Sequence, residues 1–441
     1  MNYTKFRICP GVNTFKFLYL CLRQIKSKRC KESDQFYNFS NNNMTIKLIK
    51  LLLFVIILCS CSPRIRISKL TRLIPDQDSI KFEPKGIYPR PVINYFVKKI
   101  KTPDKISITS GVELYRVSYF TKDENNRKTP VSGLLAFPRN KKIKGVVSYQ
   151  HGTNSERMNA PSKPSEDEGL GIAAVFAGGG YLCLIPDYIG FGVSTEIHTY
   201  LHAETTTNAV VDFLKIGSEI CTSLTNKETN YLFLIGISQG GHATAAVHRE
   251  IEKNPVSGLR LIATSSIVGA YNLKEISIPY AIENKSVFYL GYLAHSYCHI
   301  YKHPLNSILL APYDTIVPRI FDGNHTYEQV IARLPKTPES LYRKDILDDF
   351  ISGNHDWFTD KISENQTFDW KPNALFRMYY GSKDKDVSPQ DAINAYSHMK
   401  QLGGNVELIG LGELSHTQSA YAAIPKTRVF FDSLSTVRRH D

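Results

Sequence analysis

The stretch that most constrains the fold of this chain is NYLFLIGISQGGH at residues 230–242. An apolar run at 231–235 predicts a buried strand, and the sequence ATAAVHREIEK that follows predicts a helix, with Ser238 between them. A turn this sharp crowds its backbone, so the positions two before and two after the serine must be nearly free of side chain, and both Gly236 and Gly240 are. The pattern predicts a nucleophile elbow with Ser238 as the nucleophile. The alternative is a serine in an ordinary glycine-rich turn.

An acid is expected after the serine. A serine hydroxyl attacks efficiently only when a histidine accepts its proton and a carboxylate orients that histidine. With a strand-turn-helix nucleophile the chain order is serine, acid and then histidine. The loop GSKDKDVSP at 381–389 places Asp384 at the spacing of a GxxDxxV(P) acid loop, and Asp386 is the alternative.

Three histidines follow that loop and compete for the role of the base. His398 falls within a predicted helix, and His440 is the penultimate residue. His416 follows the last predicted strand, in GLGELSHTQSA, where a loop can reach back over the serine. The order and position predict His416 as the base.

Backbone N–H groups must also stabilise the oxyanion that forms when an ester carbonyl is attacked. The N–H of Gln239 begins the helix after the elbow, where the helix dipole favours negative charge. A second donor is expected from residues 150–153, Gln-His-Gly-Thr, after a predicted strand. We assign it to Thr153, with Gly152 allowing close approach, and expect a structural role for His151.

Short apolar runs that alternate with helical segments determine the expected fold class, which is α/β. Strand, helix and strand in succession predict a mostly parallel sheet with right-handed crossovers, flanked by helices and preceded by one antiparallel pair. Residues 271–370 break the pattern, and they predict a helical lid or cap inserted between strands 6 and 7 of the core formed by 92–270 and 371–441. The eight predicted strands are 113–121, 131–138, 145–149, 181–186, 231–235, 259–267, 374–380 and 406–409.

The segment 44–60, MTIKLIKLLLFVIILCS, has the lysines, the short apolar run and the small-residue exit of a signal peptide. Its apolar run is too short for the roughly 20 residues of a spanning helix. Leu-Cys-Ser-Cys at 58–61 resembles the lipobox of bacterial lipoproteins, which implies lipid attachment at Cys61, export, and anchoring to a bacterial membrane on the periplasmic side or at the cell surface. The alternative is an ordinary cleaved signal.

Residues 1–43 precede a signal that works only from an N-terminus, so we predict that Met44 is the true start and that 1–43 is a non-native extension. The proline-bearing stretch 61–91 predicts an extended tether or arm.

The first 60 residues contain ten Lys or Arg and two Asp or Glu, so they carry +8 of the formal net charge of +13. The rest shows no basic stripe with stacking aromatics, which argues against a nucleic-acid partner.

Four motifs give the chain a family resemblance: YQHGT at 149–153, IPDYIGFG at 185–192, HTYLHAETTTNAVVDFL at 198–214 and GISQGGHA at 236–243. Together they resemble the secretory lipase (lipase-A-like) branch of the α/β-hydrolases. The resemblance implies an α/β-hydrolase fold under a helical lid and hydrolysis of a small-molecule ester or lipid without metal or cofactor. It carries the serine, acid and histidine over to Ser238, Asp384 and His416.

The sequence is also compatible with three alternatives. His295, His299 and His303 would share one helix face at i, i+4 and i+8, which is a spacing that metal ligands use. A serine peptidase of the prolyl-oligopeptidase type shares the core, but the stretch after Cys61 is too short for its propeller. A non-catalytic lipoprotein that binds lipids or glycans on a hydrolase fold is the third possibility.

Overall fold

The computed structural model describes residues 80–99, 104, 106–139, 143–163, 167–224, 230–352 and 356–437. The predicted extension 1–43, the signal peptide 44–60 and Cys61 lie outside these residues, as does most of the tether. Within the described part of the chain, none of the helices combines the length and apolarity needed to cross a bilayer.

One nine-stranded sheet organises the described chain, with spatial order 1-2-3-5-4-6-7-8-9 in sequence numbering. The strands are β1 (Lys81–Tyr88), β2 (Val112–Lys122), β3 (Lys128–Pro138), β4 (Val146–Gln150), β5 (Leu182–Pro186), β6 (Tyr231–Ile237), β7 (Arg260–Ile267), β8 (Leu375–Tyr380) and β9 (Val406–Gly410). β4 to β9 run parallel, whereas β1, β2 and β3 are antiparallel additions at one side. The eight predicted strands are therefore confirmed, with small shifts at their ends.

β1 is a ninth strand that the sequence did not predict. Residues up to 91 were interpreted as a tether because of their prolines, but Lys81–Tyr88 pairs along β2 at the edge of the sheet. Its register shifts between Pro84 and Gly86, so Pro84 lies at an irregularity of an edge strand, where its missing N–H is tolerated. The last part of the predicted tether thus belongs to the sheet.

Helices cover both faces of the sheet. They are α1 (Arg90–Lys99), α2 (Asp167–Phe176), α3 (Ala203–Leu224), α4 (Gln239–Lys253), α5 (Ile278–Glu283), α6 (Val287–Tyr301), α7 (Tyr313–Ile320), α8 (Tyr327–Ile331), α9 (Lys344–Ser352), α10 (Trp357–Glu364), α11 (Pro389–Gln401) and α12 (His416–Val437). Alternate residues of β6 enter different apolar clusters: Leu232 and Leu234 pack on one side, and Phe233 and Ile235 on the other. A strand covered on both faces is apolar throughout, which explains the unbroken run that identified it in the sequence.

Residues 271–370, between β7 and β8, carry the six helices α5 to α10. Most members of one hydrophobic cluster lie in this segment, with Leu293, Tyr297 and Phe358 among its fully buried residues, and Tyr200 and Leu201 join it from outside the segment. Residues 271–370 are therefore largely helical, and they share their core with the loop before α3.

The C-terminal helix α12 is anchored by a buried arginine. Arg428 is fully buried, and its guanidinium donates to the carbonyl oxygens of Val175, Ser107 (3.3 Å) and Gly179 (3.5 Å). It also pairs with Asp432 at 2.9 Å. A charge buried in this way is tolerated because it is paired and hydrogen-bonded, and it fastens α12 to the end of α2.

Gly180 and Cys183 have structural roles around β5. Gly180, the last of three consecutive glycines, has φ of 101° and ends a 3₁₀ turn at Ala177–Gly179. Cys183 is a buried free thiol in β5. Burial raises the pKa of this thiol well above its ordinary value.

Candidate active site

Ser238 lies in a strained turn between β6 and α4. Its φ of 58° and ψ of −119° are outside the regions that non-glycine residues favour. A Cβ at Gly236 would lie 2.0 Å from Gly240 O, and one at Gly240 would lie 1.9 Å from Gln150 O. Both glycines are thus required by close backbone contacts, as the sequence predicted. Strain of this kind is retained where the surrounding structure enforces it, often at functional sites.

Neighbouring strands hold the turn in place. The N–H of Ser238 donates to the carbonyl oxygen of Ile267, at the end of β7, over 2.9 Å. The side chain of Ser238 is only half-buried. The serine therefore lies at the carboxyl edge of the parallel strands, which is where ligands bind in open α/β sheets.

Asp384 and His416 are paired at the same edge. Asp384 follows β8, His416 follows β9, and Nδ1 of His416 lies 2.7 Å from Oδ2 of Asp384. The other carboxylate oxygen accepts the N–H groups of Asp386 (2.9 Å) and Val387 (3.0 Å), and Asp384 is only 3% exposed. A carboxylate accepts from Nδ1, so Nδ1 carries the ring proton and Nε2 is left to accept a proton.

Asp386, the alternative acid, has a different partner. It is exposed, and one of its carboxylate oxygens accepts the hydroxyl of Tyr289 over 3.3 Å. Its backbone N–H helps to hold Asp384. The geometry therefore favours Asp384 over Asp386 as the partner of His416. Among the described residues no direct hydrogen bond joins Ser238 to His416, so the structure pairs the acid with the histidine and brings the serine to the same sheet edge.

The loop after β4 lies against the serine. A Cβ placed on Gly152 would be 3.8 Å from Cβ of Ser238. The backbone N–H groups of Thr153 and Gln239 make no hydrogen bond within the described part of the chain. Two N–H groups left unpaired beside a serine are the arrangement that an oxyanion needs.

His151 contacts the backbone of this loop and of the loop after β5. Its Nδ1 lies 2.8 Å from Gly152 O, its Nε2 lies 3.1 Å from Asp187 O, and its ring stacks on Tyr188 with centroids 4.2 Å apart. Both nitrogens face backbone carbonyls, which agrees with a structural role for this histidine.

Asp187, whose backbone oxygen contacts His151, is itself held by hydrogen bonds to its side chain. Its carboxylate is fully buried and accepts the hydroxyls of Ser132 and Ser162, each at 2.5 Å, and the N–H of Ser162 at 2.9 Å. Burial raises the pKa of this carboxyl, and the three donors oppose the rise. The loop after β5 is thus tied to β3 and, through His151, to the loop beside the serine.

Gln239 and His198 form a contact that sequence reasoning missed. Nδ1 of His198 lies 2.8 Å from the carbonyl oxygen of Ile189 and donates to it, so Nε2 accepts from the amide nitrogen of Gln239 at 2.7 Å. Burial lowers the pKa of His198 to about 3, which keeps its ring neutral. The contact fixes the side chain of the residue whose N–H faces the serine. The two residues are 41 positions apart, and only the HTY motif at 198–200 hinted at the histidine.

The insertion contacts the site on two sides. Tyr280 donates its hydroxyl to the backbone oxygen of Asp384 over 2.7 Å. On the other side, the hydroxyls of Thr153 and Tyr200 are 3.3 Å apart, and Tyr200 stacks on Tyr292 of α6 with centroids 4.8 Å apart. The helical insertion thus borders both the acid loop and the loop beside the serine.

The histidines at 295, 299 and 303 do not form one face. His295 is buried near Phe321, and His299 lies 3.5 Å from Glu124. α6 ends at Tyr301, so His303 lies beyond it and stacks on Trp357 instead, with centroids 3.7 Å apart. The three rings thus have separate partners, and His303 does not share the helix of His295 and His299.

Comparison with known proteins identifies the fold. No protein-family model and no curated protein matches the sequence. A crystal structure from Legionella pneumophila, provisionally described as a hydrolase, is 25% identical with a TM-score of 0.75 and covers 80% of this chain and 97% of its own. The rice cell wall degrading esterase LipA from Xanthomonas oryzae is 21% identical with a TM-score of 0.70 and covers 83% and 98%.

Candida antarctica lipase A in its closed state is more distant, at 14% identity and a TM-score of 0.55 over 72% of this chain and 76% of that one. The solved structures similar to this chain thus include a hydrolase, an esterase and a lipase. The chain has the α/β-hydrolase fold, as its sequence predicted.

Proposed function

We propose that this chain is a serine hydrolase of carboxylic esters, with Ser238 as nucleophile, His416 as general base and Asp384 as the acid that orients it. The observation that carries the proposal is the 2.7 Å hydrogen bond between His416 and buried Asp384, at the sheet edge where Ser238 occupies its strained turn. The esterase and lipase among the similar structures support the same reaction class.

The reaction follows from the free atoms of the site. Nε2 of His416 takes the proton from Ser238 as its oxygen attacks the ester carbonyl, and Asp384 stabilises the imidazolium that forms. The backbone N–H groups of Thr153 and Gln239 donate hydrogen bonds to the developing oxyanion. His416 then gives its proton to the oxygen of the departing alcohol, and an acyl-enzyme remains on Ser238. Water hydrolyses this acyl-enzyme by the same steps. Only side chains, backbone amides and water take part.

The insertion at 271–370 serves in this proposal as a lid over the ester. Two contacts support this role: Tyr280 donates to the backbone oxygen of Asp384, and Tyr292 stacks on Tyr200. A cover that excludes water strengthens the electrostatic interactions beneath it. The substrate class is a small-molecule ester or a lipid.

We further propose export of the protein and attachment to a bacterial membrane through acyl chains on Cys61. The support is the charged, apolar and small-residue order of 44–60 followed by Cys61. Mass spectrometry of the native protein should find a lipid-modified N-terminal Cys61 and no peptide from 1–43. An unmodified residue 61, or peptides upstream of Met44, would contradict this part of the proposal.

The enzymatic part is tested with protein lacking residues 1–61. A fluorophosphonate probe should label the parent protein and fail to label Ser238→Ala, and p-nitrophenyl esters from acetate to palmitate should be cleaved only by the parent. The preferred chain length then separates an esterase from a lipase. Folded parent protein that neither labels nor turns over any ester would favour a binding lipoprotein instead.

A further inference from the structure

A cavity of about 180 Å³ lies beside the proposed oxyanion donors. Its walls come from the loop after β4, from the 3₁₀ turn at Arg157–Asn159 and from the start of α2. Gly152 and Thr153 line it, and a Cβ on Gly152 would be 3.8 Å from Cβ of Ser238. An ester whose carbonyl contacts Thr153 therefore has this cavity next to its reacting carbon.

Two asparagines give the cavity a definite polarity. Oδ1 of Asn154 accepts the backbone N–H of Glu156 at 3.1 Å, so the amide nitrogen of Asn154 remains as a donor. The amide nitrogen of Asn159 donates to the carboxylate of Glu156 at 2.8 Å, which leaves its oxygen as an acceptor. These bonds fix the orientation of both amides, because an N–H only donates and a carboxylate only accepts. Within the described chain neither remaining atom has a hydrogen bond.

The charge of the lining disfavours anionic ligands. Glu168 contributes a carboxylate, which accepts the hydroxyl of Tyr149, and the lining residues that the structure describes include no lysine or arginine. Arg157 is close in sequence, but its guanidinium donates to the backbone oxygens of Asp322, Thr195 and Glu196. A group that both donates and accepts hydrogen bonds without negative charge, such as a hydroxyl, matches the free donor and acceptor.

The sheet order indicates which half of the ester faces the cavity. His416 follows β9, and β7, β8 and β9 all lie on one side of β6, whereas β4 lies on the other. The leaving oxygen must be near His416 to receive its proton. The cavity after β4 is on the far side of Ser238 and so faces the acyl half.

We propose that this cavity binds a small hydroxyl-bearing acyl group, with the amide nitrogen of Asn154 donating to the hydroxyl and the amide oxygen of Asn159 accepting from it. The inference rests on the proposed ester hydrolysis and narrows its substrates to esters of hydroxy acids. Its size suits a group of a few heavy atoms rather than a long acyl chain.

The test compares matched ester pairs. Ethyl 3-hydroxybutyrate against ethyl butyrate measures the effect of a hydroxyl in the acyl half, and 2-hydroxyethyl butyrate against propyl butyrate measures it in the alcohol half. The parent protein should favour the hydroxylated acyl ester in kcat/KM by about tenfold or more, since one well-made hydrogen bond in a partly buried site is worth about that factor. The alcohol pair should differ by less than about threefold.

Three variants make the assignment specific. Asn154→Asp keeps the oxygen that accepts from Glu156 but removes the donor, and Asn159→Ala removes the acceptor, so each should reduce the acyl-pair preference below about threefold. Asn230→Asp is the matched control, because Asn230 is exposed and precedes β6 at the opposite edge of the sheet. It should keep the parent preference.

The outcomes separate this inference from the proposed function. Turnover of ethyl butyrate by the parent and its loss in Ser238→Ala report on ester hydrolysis. Equal rates for the acyl pair, a preference found only in the alcohol pair, or a preference unchanged in both asparagine variants would overturn the cavity assignment. If the parent turns over no ester, the dissociation constants of ethyl 3-hydroxybutyrate and ethyl butyrate are measured by calorimetry instead. Equal affinity for the two esters, or no binding of either, would overturn the cavity assignment.

Discussion

Alanine at Gly240 offers a direct test of how the elbow positions the oxyanion loop. The new Cβ would lie 1.9 Å from the carbonyl oxygen of Gln150, whereas Cβ atoms in proteins essentially never approach another non-bonded heavy atom more closely than 3.0 Å. The end of β4 must therefore retreat from α4 by about 1.1 Å, and it continues directly into Gly152 and Thr153. A displacement of about 1 Å in a positioning element can cost about 10² in rate. We expect kcat of Gly240→Ala to fall by about that factor.

The stability of the same variant should fall by no more than about 3 kcal/mol. Overpacking costs typically 1–3 kcal/mol, and alanine in a helix regains up to about 1 kcal/mol relative to glycine. Gly171→Ala is the control, because a Cβ at this exposed position in α2 meets no atom within 4 Å. Steady-state kinetics on a p-nitrophenyl ester and thermal unfolding of both variants provide the assay. A folded Gly240→Ala protein with the parent kcat would refute the argument that the close contact with Gln150 sets the oxyanion loop.

Other substitutions test the acid, the pH response and the core. Asp384→Asn should lower kcat by about 10³ to 10⁴, because Nδ1 of His416 loses its carboxylate acceptor. Asp386→Asn should change kcat by less than about tenfold. If steady-state kinetics gave the reverse ranking, Asp386 would be the acid. Burial lowers the pKa of His295 to about 4 from an unfolded value near 6.5, so the folded state binds fewer protons and stability is lost as pH falls from 6.5 towards 4. His295→Leu should flatten the dependence of the free energy of unfolding on pH by up to about 1.4 kcal/mol per pH unit in that window, and an unchanged slope in urea titrations would contradict this. Arg428→Met should destabilise the protein by about 2–5 kcal/mol, because the buried carbonyl oxygens of Val175 and Gly179 lose their donor, while kcat at low temperature is retained. A loss below about 1 kcal/mol by urea unfolding would show that the residue is not a structural anchor.

The fold was predictable where apolar runs are complete. Residues 231–235 identify β6 because a strand with helices on both faces has no polar side, and its glycines identify the elbow because their neighbours allow no Cβ. β1 was missed because Pro84 argues against a central strand, yet an edge strand with a shifted register accommodates it.

The sequence predicted the residues of the site that follow from the order of serine, acid and histidine along the chain. The rule of serine, acid and histidine selects Asp384 and His416, which the structure pairs. It says nothing of His198 and Gln239, because their contact depends on how the loop after β5 folds over α4. The histidine face on α6 failed for a local reason: Lys302 takes φ of 60° and ends the helix before His303, and a period of 3.6 residues cannot reveal such an end.

The direction of β1 determines at which edge of the sheet the preceding tether would attach. β1 runs antiparallel to β2, and pairing through β3 and β5 relates both to the parallel strands, so Lys81 begins β1 at the edge of the sheet that carries Ser238. A chain anchored at Cys61 as proposed would enter the domain from that edge, with a reach of at most about 70 Å for the residues between. The edge of the sheet that carries Ser238 would then also be the edge at which the tether attaches, so esters close to the lipid surface would lie within reach of the serine.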